Sequence, residues 1–305
     1  MQDISEEMMD RMKKIVGSIG FFLGLLALLV ALSVNIVSDG DVYNIIDVEE
    51  KIAYFSKLPE NTIDVIIIGD SESYSAFNPL QLWKEQGITS YVCGTHAQRL
   101  CDTYCILKTS VETQSPNLIV LETNCLFRDV GLKQETTDRT LYEVSQQKTL
   151  KREHLRKGFK LRTDVVPYTG GEWMKKSDNR KKIGERVEEY LAKIYELCKE
   201  NDVELVLITS PAPENWTYSK HNSVNDWAVE KGVNYLDMNL CHEKINIDWT
   251  KDTRDAGDHL NYAGAKKITS YFGEFLKKNY TLTDHRKDEV YSSWNEDLEH
   301  CGMEF

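Results

Sequence analysis

A hydroxyl, an imidazole and several carboxylates stand in two short stretches of this sequence that are far apart along the chain. An apolar run at residues 65–68 is followed closely by Asp70 and Ser71, and Asp255, Asp258 and His259 stand near the end. A serine hydroxyl is a weak nucleophile until a base takes its proton, and the base needs a carboxylate to orient it. The two stretches together contain all three groups and predict a serine nucleophile.

The position of Ser71 favours catalysis over a structural role. The β-branched run at residues 65–68 is typical of a strand that is covered on both faces. The carboxyl ends of such strands are where open α/β sheets place their ligands. The alternative is that Asp70 and Ser71 only cap a turn or a helix. The downstream acids and histidine make the catalytic role the preferred interpretation.

Two motifs make the chain resemble a known family. Gly69-Asp70-Ser71 and the downstream Asp/His group are similar to the motifs of the SGNH/GDSL hydrolase superfamily. Residues 258–265 are most similar to its membrane-anchored bacterial branch, which includes acyltransferase-like proteins such as the teichoic acid D-alanyl transfer proteins. The resemblance covers residues 62–280. It implies an ester-directed serine enzyme of the cell envelope.

Within this resemblance, Ser71 is the nucleophile and His259 is its base. The family pattern places the orienting acid three residues before the histidine, where this chain has Ala256. An acid one residue away usually cannot fold back to its own histidine ring, whereas an acid four residues back can do so across a glycine-containing loop. We therefore predict Asp255 as the orienting acid and Asp258 as the N-cap of a helix.

The resemblance also assigns donors for the oxyanion of a tetrahedral intermediate. These are the backbone N–H of Ser71, Gly94 after the second strand and Asn124 after the third. The family's residues around the asparagine are replaced here, so only Asn124 itself carries over. A turn or cap role is the alternative for Gly94 and for Asn124. Candidate substrate contacts at the same sheet edge are Asp70, His96, Gln98, Trp216 and His221.

Apolar runs alternate with helical periodicity over residues 62–280. This alternation predicts an α/β fold of three α/β/α layers, with a doubly wound, mostly parallel five-stranded sheet of the flavodoxin-like kind. The predicted strands span 64–68, 90–93, 118–122, 204–209 and 234–237. The predicted helices span 78–84, 98–112, 180–200, 223–230 and 259–278, with Ser223 as a cap.

An uncharged segment precedes this domain at residues 15–37. A helix of that length is about 35 Å long and would cross a ~30 Å hydrocarbon core. Basic residues before it and acidic residues after it place residues 1–14 in the cytoplasm and the domain outside. The alternatives are a cleaved signal peptide and a buried core helix. We predict a transmembrane anchor followed by a polar juxtamembrane segment at 38–61.

Charge is unevenly distributed along the chain. The net charge of −12 disfavours a nucleic-acid partner. An insertion at about 129–179 is locally basic, which predicts either a solvated face or a surface for anionic headgroups or an anionic wall polymer. The acidic tail at 281–305 has little periodicity and is predicted to be flexible or loosely packed. The odd number of cysteines leaves their disulfide status open.

Two functions compete at this point. The first is a membrane-anchored, extracytoplasmic serine esterase or O-acyltransferase that acts on an acylated envelope polysaccharide or teichoic acid. An integral-membrane acyltransferase is its expected partner by family analogy. The second is a non-catalytic binding or scaffold protein of an envelope acylation complex. The sequence has no phosphate-binding loop and no strong metal-ligand cluster, so neither a cofactor nor a metal is predicted.

Overall fold

The structure is a computed structural model, and it describes residues 9, 11–25, 28, 51–128 and 156–305. The chain divides into two compact units, Met1–Ile45 with Gly131–Gln146 and Ile46–Val130 with Gln147–Phe305. In the first unit, residues 11–25 are helical. Among the described residues, no helix combines the length and the apolar character that crossing a membrane requires. The predicted anchor at 15–37 lies partly outside these residues.

The second unit is built on a sheet of five parallel strands. Their spatial order is β2-β1-β3-β4-β5, which is the flavodoxin-like order of a doubly wound sheet. The predicted five-stranded α/β fold is therefore confirmed. The strands are β1 (Val65–Ile68), β2 (Ser90–Val92), β3 (Leu118–Glu122), β4 (Glu204–Thr209) and β5 (Asn234–Asp237).

Helices cover both faces of this sheet. Because successive side chains of a strand point to opposite faces, Ile66 and Ile68 enter one hydrophobic core while Val65 and Ile67 enter the other. The result is the predicted three-layer arrangement. The helices are α1 (Ser71–Ala76), α2 (Pro79–Gln86), α3 (Leu100–Thr113), α4 (Glu185–Glu200), α5 (Tyr218–Lys231), α6 (His242–Ile245), α7 (Tyr262–Asn279) and α8 (Ser292–His300).

The starts of helices α4 and α5 differ from the prediction. Helix α5 begins five residues before the predicted Ser223, since the Thr217 hydroxyl accepts a hydrogen bond from the Lys220 N–H. The predicted cap lies inside the helix, where its hydroxyl donates to backbone carbonyls. Helix α4 begins at Glu185, after an irregular segment at 180–184.

The C-terminal tail is packed against the domain, which corrects the prediction of a flexible tail. The Trp294 side chain is 3% exposed, and its ring centroid lies 5.5 Å from that of Trp83. The Trp83 indole N–H also donates to Asn295 at 2.9 Å. The low periodicity of the tail gave no indication of this aromatic contact. The contact buries the apolar surface of helix α8.

Part of the predicted basic insertion is bound to this tail instead of facing solvent. Lys157 is buried, forms an ion pair with Asp297 and stands over the Trp294 ring. Arg156 donates to the carbonyl of Cys301 at 3.0 Å. These two bases therefore do not form a free cationic surface. Residues 129–155 of the insertion lie outside the described residues.

Residues 51–61 also pack on the domain, although they were predicted as part of a juxtamembrane segment. Phe55 is fully buried, and the Lys51 ammonium donates to the carbonyl of Val92 at 3.2 Å. The Val92 N–H in turn donates to the carbonyl of Lys157, which covers part of the edge of β2. Five of the seven cysteines of the chain are buried.

Candidate active site

The turn after β1 carries Ser71 to the carboxyl edge of the sheet. Gly69 has a φ of +154°, and a Cβ there would lie 2.7 Å from the Cβ of Glu122. The chain therefore passes β3 too closely for any side chain at this position. The Asp70 carboxylate caps the following helix by accepting a hydrogen bond from the Glu72 N–H at 3.1 Å. Ser71 is consequently the first residue of α1.

The structure brings Ser71, His259 and Asp255 into one chain of hydrogen bonds. The Ser71 Oγ lies 2.7 Å from His259 Nε2, and His259 Nδ1 lies 2.7 Å from the Asp255 Oδ2. The other Asp255 oxygen accepts the backbone N–H of His259 at 2.6 Å. With its hydrogen on Nδ1, the imidazole presents a free lone pair to the serine hydroxyl. This is the arrangement that activates a serine nucleophile.

The loop between Asp255 and His259 is one residue longer than in the motif that the sequence resembles. Ala256 has a φ of 60° and Gly257 has a φ of 97°, so two successive residues are left-handed. The Ala256 N–H donates to the Val166 carbonyl at 3.0 Å, and the Gly257 N–H donates to the Thr253 hydroxyl at 2.8 Å. These bends bring the carboxylate of a residue four positions back onto the ring.

Side chains on both sides of this loop hold it in place. The Thr253 hydroxyl also donates to the carbonyl of His259 at 2.9 Å. Asn261 donates to the carbonyls of Lys251 and Asp164, and its side-chain oxygen accepts from the first turn of α7. The asparagine is therefore both the cap of α7 and an anchor of the histidine loop.

This capping corrects the role predicted for Asp258. Helix α7 begins at Tyr262, three residues later than predicted, and its cap is Asn261. Asp258 instead accepts a hydrogen bond from the Asn215 side chain, and its Oδ2 lies 3.3 Å from His259 Nδ1. The acid therefore faces the imidazole from a second side.

Charges and burial set the protonation of these groups. Burial alone would lower the pKa of His259, but the charge of Glu72 and the hydrogen bonds to Asp255 and Asp258 outweigh it and raise the pKa to about 10. Burial would raise the pKa of Asp255, yet its hydrogen bonds from His259 lower that pKa below the ordinary value. Asp255 is therefore ionised at neutral pH and above.

Gly94 and Asn124, two of the three predicted oxyanion donors, lie at the turn that carries the third, Ser71. A Cβ on Gly94 would lie 1.9 Å from the Ser73 Oγ and 2.9 Å from the Asp70 carbonyl oxygen, so only glycine fits there. Asn124 donates one side-chain N–H to the Asp70 carboxylate at 3.1 Å. This bond uses one of the two N–H groups of the side-chain amide.

Two of the predicted substrate contacts are buried and bonded within the protein, which corrects their assignment. Asp70 is fully buried and accepts hydrogen bonds from Asn124 and Arg128. Gln98 is also fully buried and donates to the Thr103 hydroxyl at 2.8 Å. Their contacts fix the nucleophile turn and the start of α3 instead of facing a ligand.

The other predicted contacts divide between the interior and the surface. Trp216 is 1% exposed, and its indole N–H donates to Asp237 at 2.9 Å. His221 bonds the same carboxylate oxygen through Nδ1 at 2.9 Å. Both side chains stabilise the end of β5. The burial of Trp216 corrects its assignment as a substrate contact, whereas His221 is partly exposed and stays a candidate. His96 is exposed on the loop after β2 and stays a candidate contact.

Glu72 and Asn215 are site residues that the sequence analysis missed. The buried Glu72 carboxyl accepts a hydrogen bond from Asn215 and contacts the Ser210 hydroxyl, each at 3.3 Å. Burial raises the pKa of Glu72, the charge of His259 lowers it, and the net result is about 8. The position of Glu72 directly after the nucleophile was the available signal. Asn215 lies in an irregular loop, and no feature of the sequence indicated that it belongs to the site.

Among the described residues, one group could offer three ligand atoms to a metal ion. Oxygens of Glu72 and Asp258 and a nitrogen of His259 lie within 4.8 Å of one another. Both imidazole nitrogens already have hydrogen-bond partners, the hydroxyl of Ser71 and the carboxylate of Asp255. The geometry therefore fits proton transfer better than metal ligation.

Comparison with known proteins gives likenesses to solved structures only. No protein-family model and no curated protein matches the chain. A GDSL-like lipase from Bacteroides thetaiotaomicron is 11% identical with a TM-score of 0.43, over 77% of this chain and 98% of that chain. The lipase/acylhydrolase from Enterococcus faecalis is 12% identical with a TM-score of 0.41, over 72% and 99%.

A third similar structure is the psychrotrophic esterase EstA from a Pseudoalteromonas species. It is 11% identical with a TM-score of 0.39, over 70% of this chain and 97% of that chain. At such identities and TM-scores, activity has to be argued from the site itself.

Proposed function

We propose that this protein is an SGNH-type serine esterase or O-acyltransferase that forms an acyl-enzyme on Ser71. The observation that carries the proposal is the unbroken hydrogen-bond chain from Ser71 through His259 to Asp255. Serine and histidine are 188 positions apart in the sequence, and the fold places them in direct contact at the carboxyl edge of the sheet. Each group has the position that its chemical role requires.

Acylation begins when the Ser71 Oγ attacks the carbonyl carbon of an ester and His259 Nε2 takes its proton. The carbonyl oxygen becomes an oxyanion, for which the Ser71 N–H, Gly94 and the second N–H of Asn124 are the donors. The imidazolium then returns the proton to the leaving alkoxide, and the ester C–O bond breaks. Asp255 stays ionised throughout and stabilises the imidazolium.

Deacylation repeats these steps with a new hydroxyl. His259 takes a proton from water or from an alcohol, whose oxygen attacks the acyl carbon, and Ser71 recovers its proton as the acyl bond breaks. Water gives hydrolysis, and a sugar or polyol hydroxyl gives transfer. The proton transfers are identical in both cases, so the acceptor alone separates an esterase from an acyltransferase.

We further propose an acylated envelope polysaccharide or teichoic acid as the substrate, and a location at the outer face of the cell membrane. The support is the uncharged run at 15–37 and the sequence resemblance of residues 258–265. An integral-membrane acyltransferase would supply the acyl group in that pathway. Incubation with isolated wall polymer would test this, because acyl release or acyl transfer should appear with the wild type and not with Ser71→Ala.

A fluorophosphonate probe tests the proposed nucleophile directly. The full-length wild type should be labelled at Ser71, and Ser71→Ala and His259→Ala should not be labelled. Ser75→Ala is a matched control, because the Ser75 hydroxyl lies on the same helix and only donates to the Ser71 carbonyl. A folded wild type that is not labelled would contradict the proposal and favour the binding or scaffold function.

A further inference from the structure

The catalytic imidazole faces three carboxyl groups instead of the single acid of an ordinary triad. Asp255 and Asp258 approach Nδ1 at 2.7 and 3.3 Å. The third is Glu72, whose carboxyl oxygen belongs to the group of ligand atoms that lie within 4.8 Å of one another. Glu72 is 1% exposed and stands directly after the nucleophile on α1. The proposed reaction of Ser71, His259 and Asp255 does not involve Glu72.

One amide holds two of these acids together. The Asn215 Nδ2 donates both to Glu72 Oε1 at 3.3 Å and to Asp258 Oδ1. Carboxylates that share a donor nitrogen are close enough to repel each other when both are ionised. A positive charge on the neighbouring imidazole relieves that repulsion. The amide bridge therefore couples the ionisation of Glu72 to the protonation of His259.

The described groups around Glu72 include a hydroxyl and two other acids. The Ser210 hydroxyl contacts it from the end of β4, and the like charges of Asp70 and Asp258 face it. Among the charges that act on Glu72, that of His259 has the largest effect, and it lowers the pKa of the carboxyl. The Glu72 carboxylate therefore has the imidazolium as its counter-ion.

Two basic side chains near Glu72, those of Arg128 and Lys220, bond other groups. Arg128 pairs with Asp70 at 3.3 Å, and the Lys220 ammonium donates to the carbonyl of Asn215. Lys220 acts electrostatically on Glu122 and Asp70, and burial lowers its own pKa. Neither base bonds the Glu72 carboxyl in the described part of the chain.

We propose that Glu72 is a positioning residue that holds the catalytic imidazole in its protonated form until the solution becomes alkaline. This inference rests on the proposed function, because it concerns the base of that reaction. A carboxylate beside His259 favours the imidazolium, which has no lone pair to take the Ser71 proton. Ser71 is then activated only after His259 has released its proton.

The pKa values of Glu72 and His259 agree with this order of deprotonation. The pKa of Glu72 is raised to about 8 by burial, which outweighs the opposing charge of His259, and the pKa of His259 is raised to about 10 against its own burial. As the pH rises, Glu72 therefore ionises before His259 becomes neutral. Activity should increase with pH as the imidazole loses its proton, in the range where Glu72 is already charged.

A pH titration of His259 by NMR in the full-length protein tests this without any reaction. The ring signals are assigned by their loss in His259→Gln. Glu72→Gln keeps the side-chain volume and an acceptor for Asn215 but has no charge. Its His259 midpoint should be lower than that of the wild type by about one pH unit or more. An unchanged or higher midpoint would overturn the proposal.

The rate of fluorophosphonate labelling gives the corresponding kinetic result. Below the midpoint, each unit of downward shift raises the neutral fraction of the imidazole tenfold. Glu72→Gln should therefore be labelled about tenfold faster at such a pH. A merely structural role of Glu72 would instead lower the rate at every pH and leave the midpoint in place.

Glu122→Gln is the matched control. Glu122 is equally buried at the end of β3, but it accepts from the N–H groups of Asn124 and Ser210, whereas Glu72, Asp255 and Asp258 raise the pKa of His259. Its substitution should shift the His259 midpoint much less than Glu72→Gln does, whatever it does to the labelling rate. A shift as large as that of Glu72→Gln would refute a specific role of Glu72.

The wild type keeps the proposal falsifiable if Glu72→Gln does not fold. A wild-type His259 midpoint at or below the ordinary value of about 6.5 would overturn it. The two readouts also separate this inference from the proposed function. Labelling of Ser71 with equal midpoints in wild type and variant would refute the inference alone. A lowered midpoint without any labelling of Ser71 would refute the proposed function alone.

Discussion

Two segments form the candidate site, and they are held in different ways. The nucleophile turn, residues 69–76, is buried and lies between the ends of neighbouring strands, where Gly69 contacts β3. The histidine loop, residues 252–261, is half-buried and irregular, and side-chain hydrogen bonds from Thr253 and Asn261 hold it. The sheet thus fixes the nucleophile, whereas a few polar contacts fix its base.

This difference has a consequence for substitutions. Changes in the nucleophile turn that leave the Ser71 hydroxyl and the Glu72 carboxyl in place should act mainly on stability, because the turn is continuous with the core. Changes in the histidine loop should act mainly on the rate, because the loop can shift by a fraction of an ångström without unfolding the sheet. Four predictions test this contrast, beginning with the largest effect.

The two acids of the histidine loop should differ strongly in importance. Asp255→Asn should lower kcat/KM by about 10²–10⁴-fold, because the imidazole loses the acceptor that fixes its tautomer and orientation. Asp258→Asn should cost less than about tenfold, since it lies farther from Nδ1. Steady-state hydrolysis of a p-nitrophenyl ester measures both. A larger loss for Asp258→Asn would transfer the orienting role to that residue.

Removing the hydroxyl of Thr253 should impair the rate more than the fold. Thr253→Val leaves the His259 carbonyl and the Gly257 N–H without this partner, so the loop loses two hydrogen bonds. We expect a decrease of about 10–10² in acylation rate and a destabilisation of about 1–3 kcal/mol. Stopped-flow acylation and urea unfolding measure the two effects. A full acylation rate in this variant would show that the loop does not depend on the hydroxyl.

A methyl group at Gly69 should show the opposite balance. Gly69→Ala places a Cβ 2.7 Å from the Cβ of Glu122 and forces a side chain into a left-handed conformation. The free energy of unfolding should decrease by about 1–3 kcal/mol. Gly257→Ala meets the rings of Tyr168 at 2.8 Å and Pro213 at 2.9 Å, which belong to loops and not to the sheet, and should destabilise the fold less. Equal losses of stability in the two variants would contradict the contrast between the segments.

The smallest effect is expected at Ala256, whose φ is 60°. Ala256→Gly relieves the left-handed strain but adds freedom to the unfolded chain, so stability should change by less than about 1 kcal/mol. Ala256→Val keeps the strain and adds β-branching, and it should lower both stability and rate. Thermal unfolding of the pair measures this. Equal stability of the two variants would argue against the observed loop conformation.

The sequence was a better guide to the nucleophile turn than to the histidine loop. A β-branched run predicts a covered strand, and a covered parallel strand predicts where Ser71 lies. The start of helix α7 was misplaced because Asn261, not Asp258, makes the capping hydrogen bonds. Spacing alone did not reveal a left-handed alanine at 256, since that conformation is rare outside glycine.

The polar surroundings of the site were the least predictable part. Trp216 and His221 were predicted only as substrate contacts, whereas both bond Asp237, which lies at the end of the neighbouring strand. The contact of Glu72 with Asn215 joins residues 143 positions apart, and no local pattern encodes it. The packing of the tail through Trp294 on Trp83 is equally non-local. Such contacts depend on the assembled fold and not on periodicity.

Isolation of the acyl-enzyme tests the central claim most directly. The full-length wild type is mixed with p-nitrophenyl acetate, quenched in acid and analysed by intact mass and peptide mapping. We predict one acetyl group on Ser71, its absence in Ser71→Ala, and its slow formation in Asp255→Asn. Turnover of the ester with no acetyl group on Ser71, or with the acetyl group on another residue, would contradict the account.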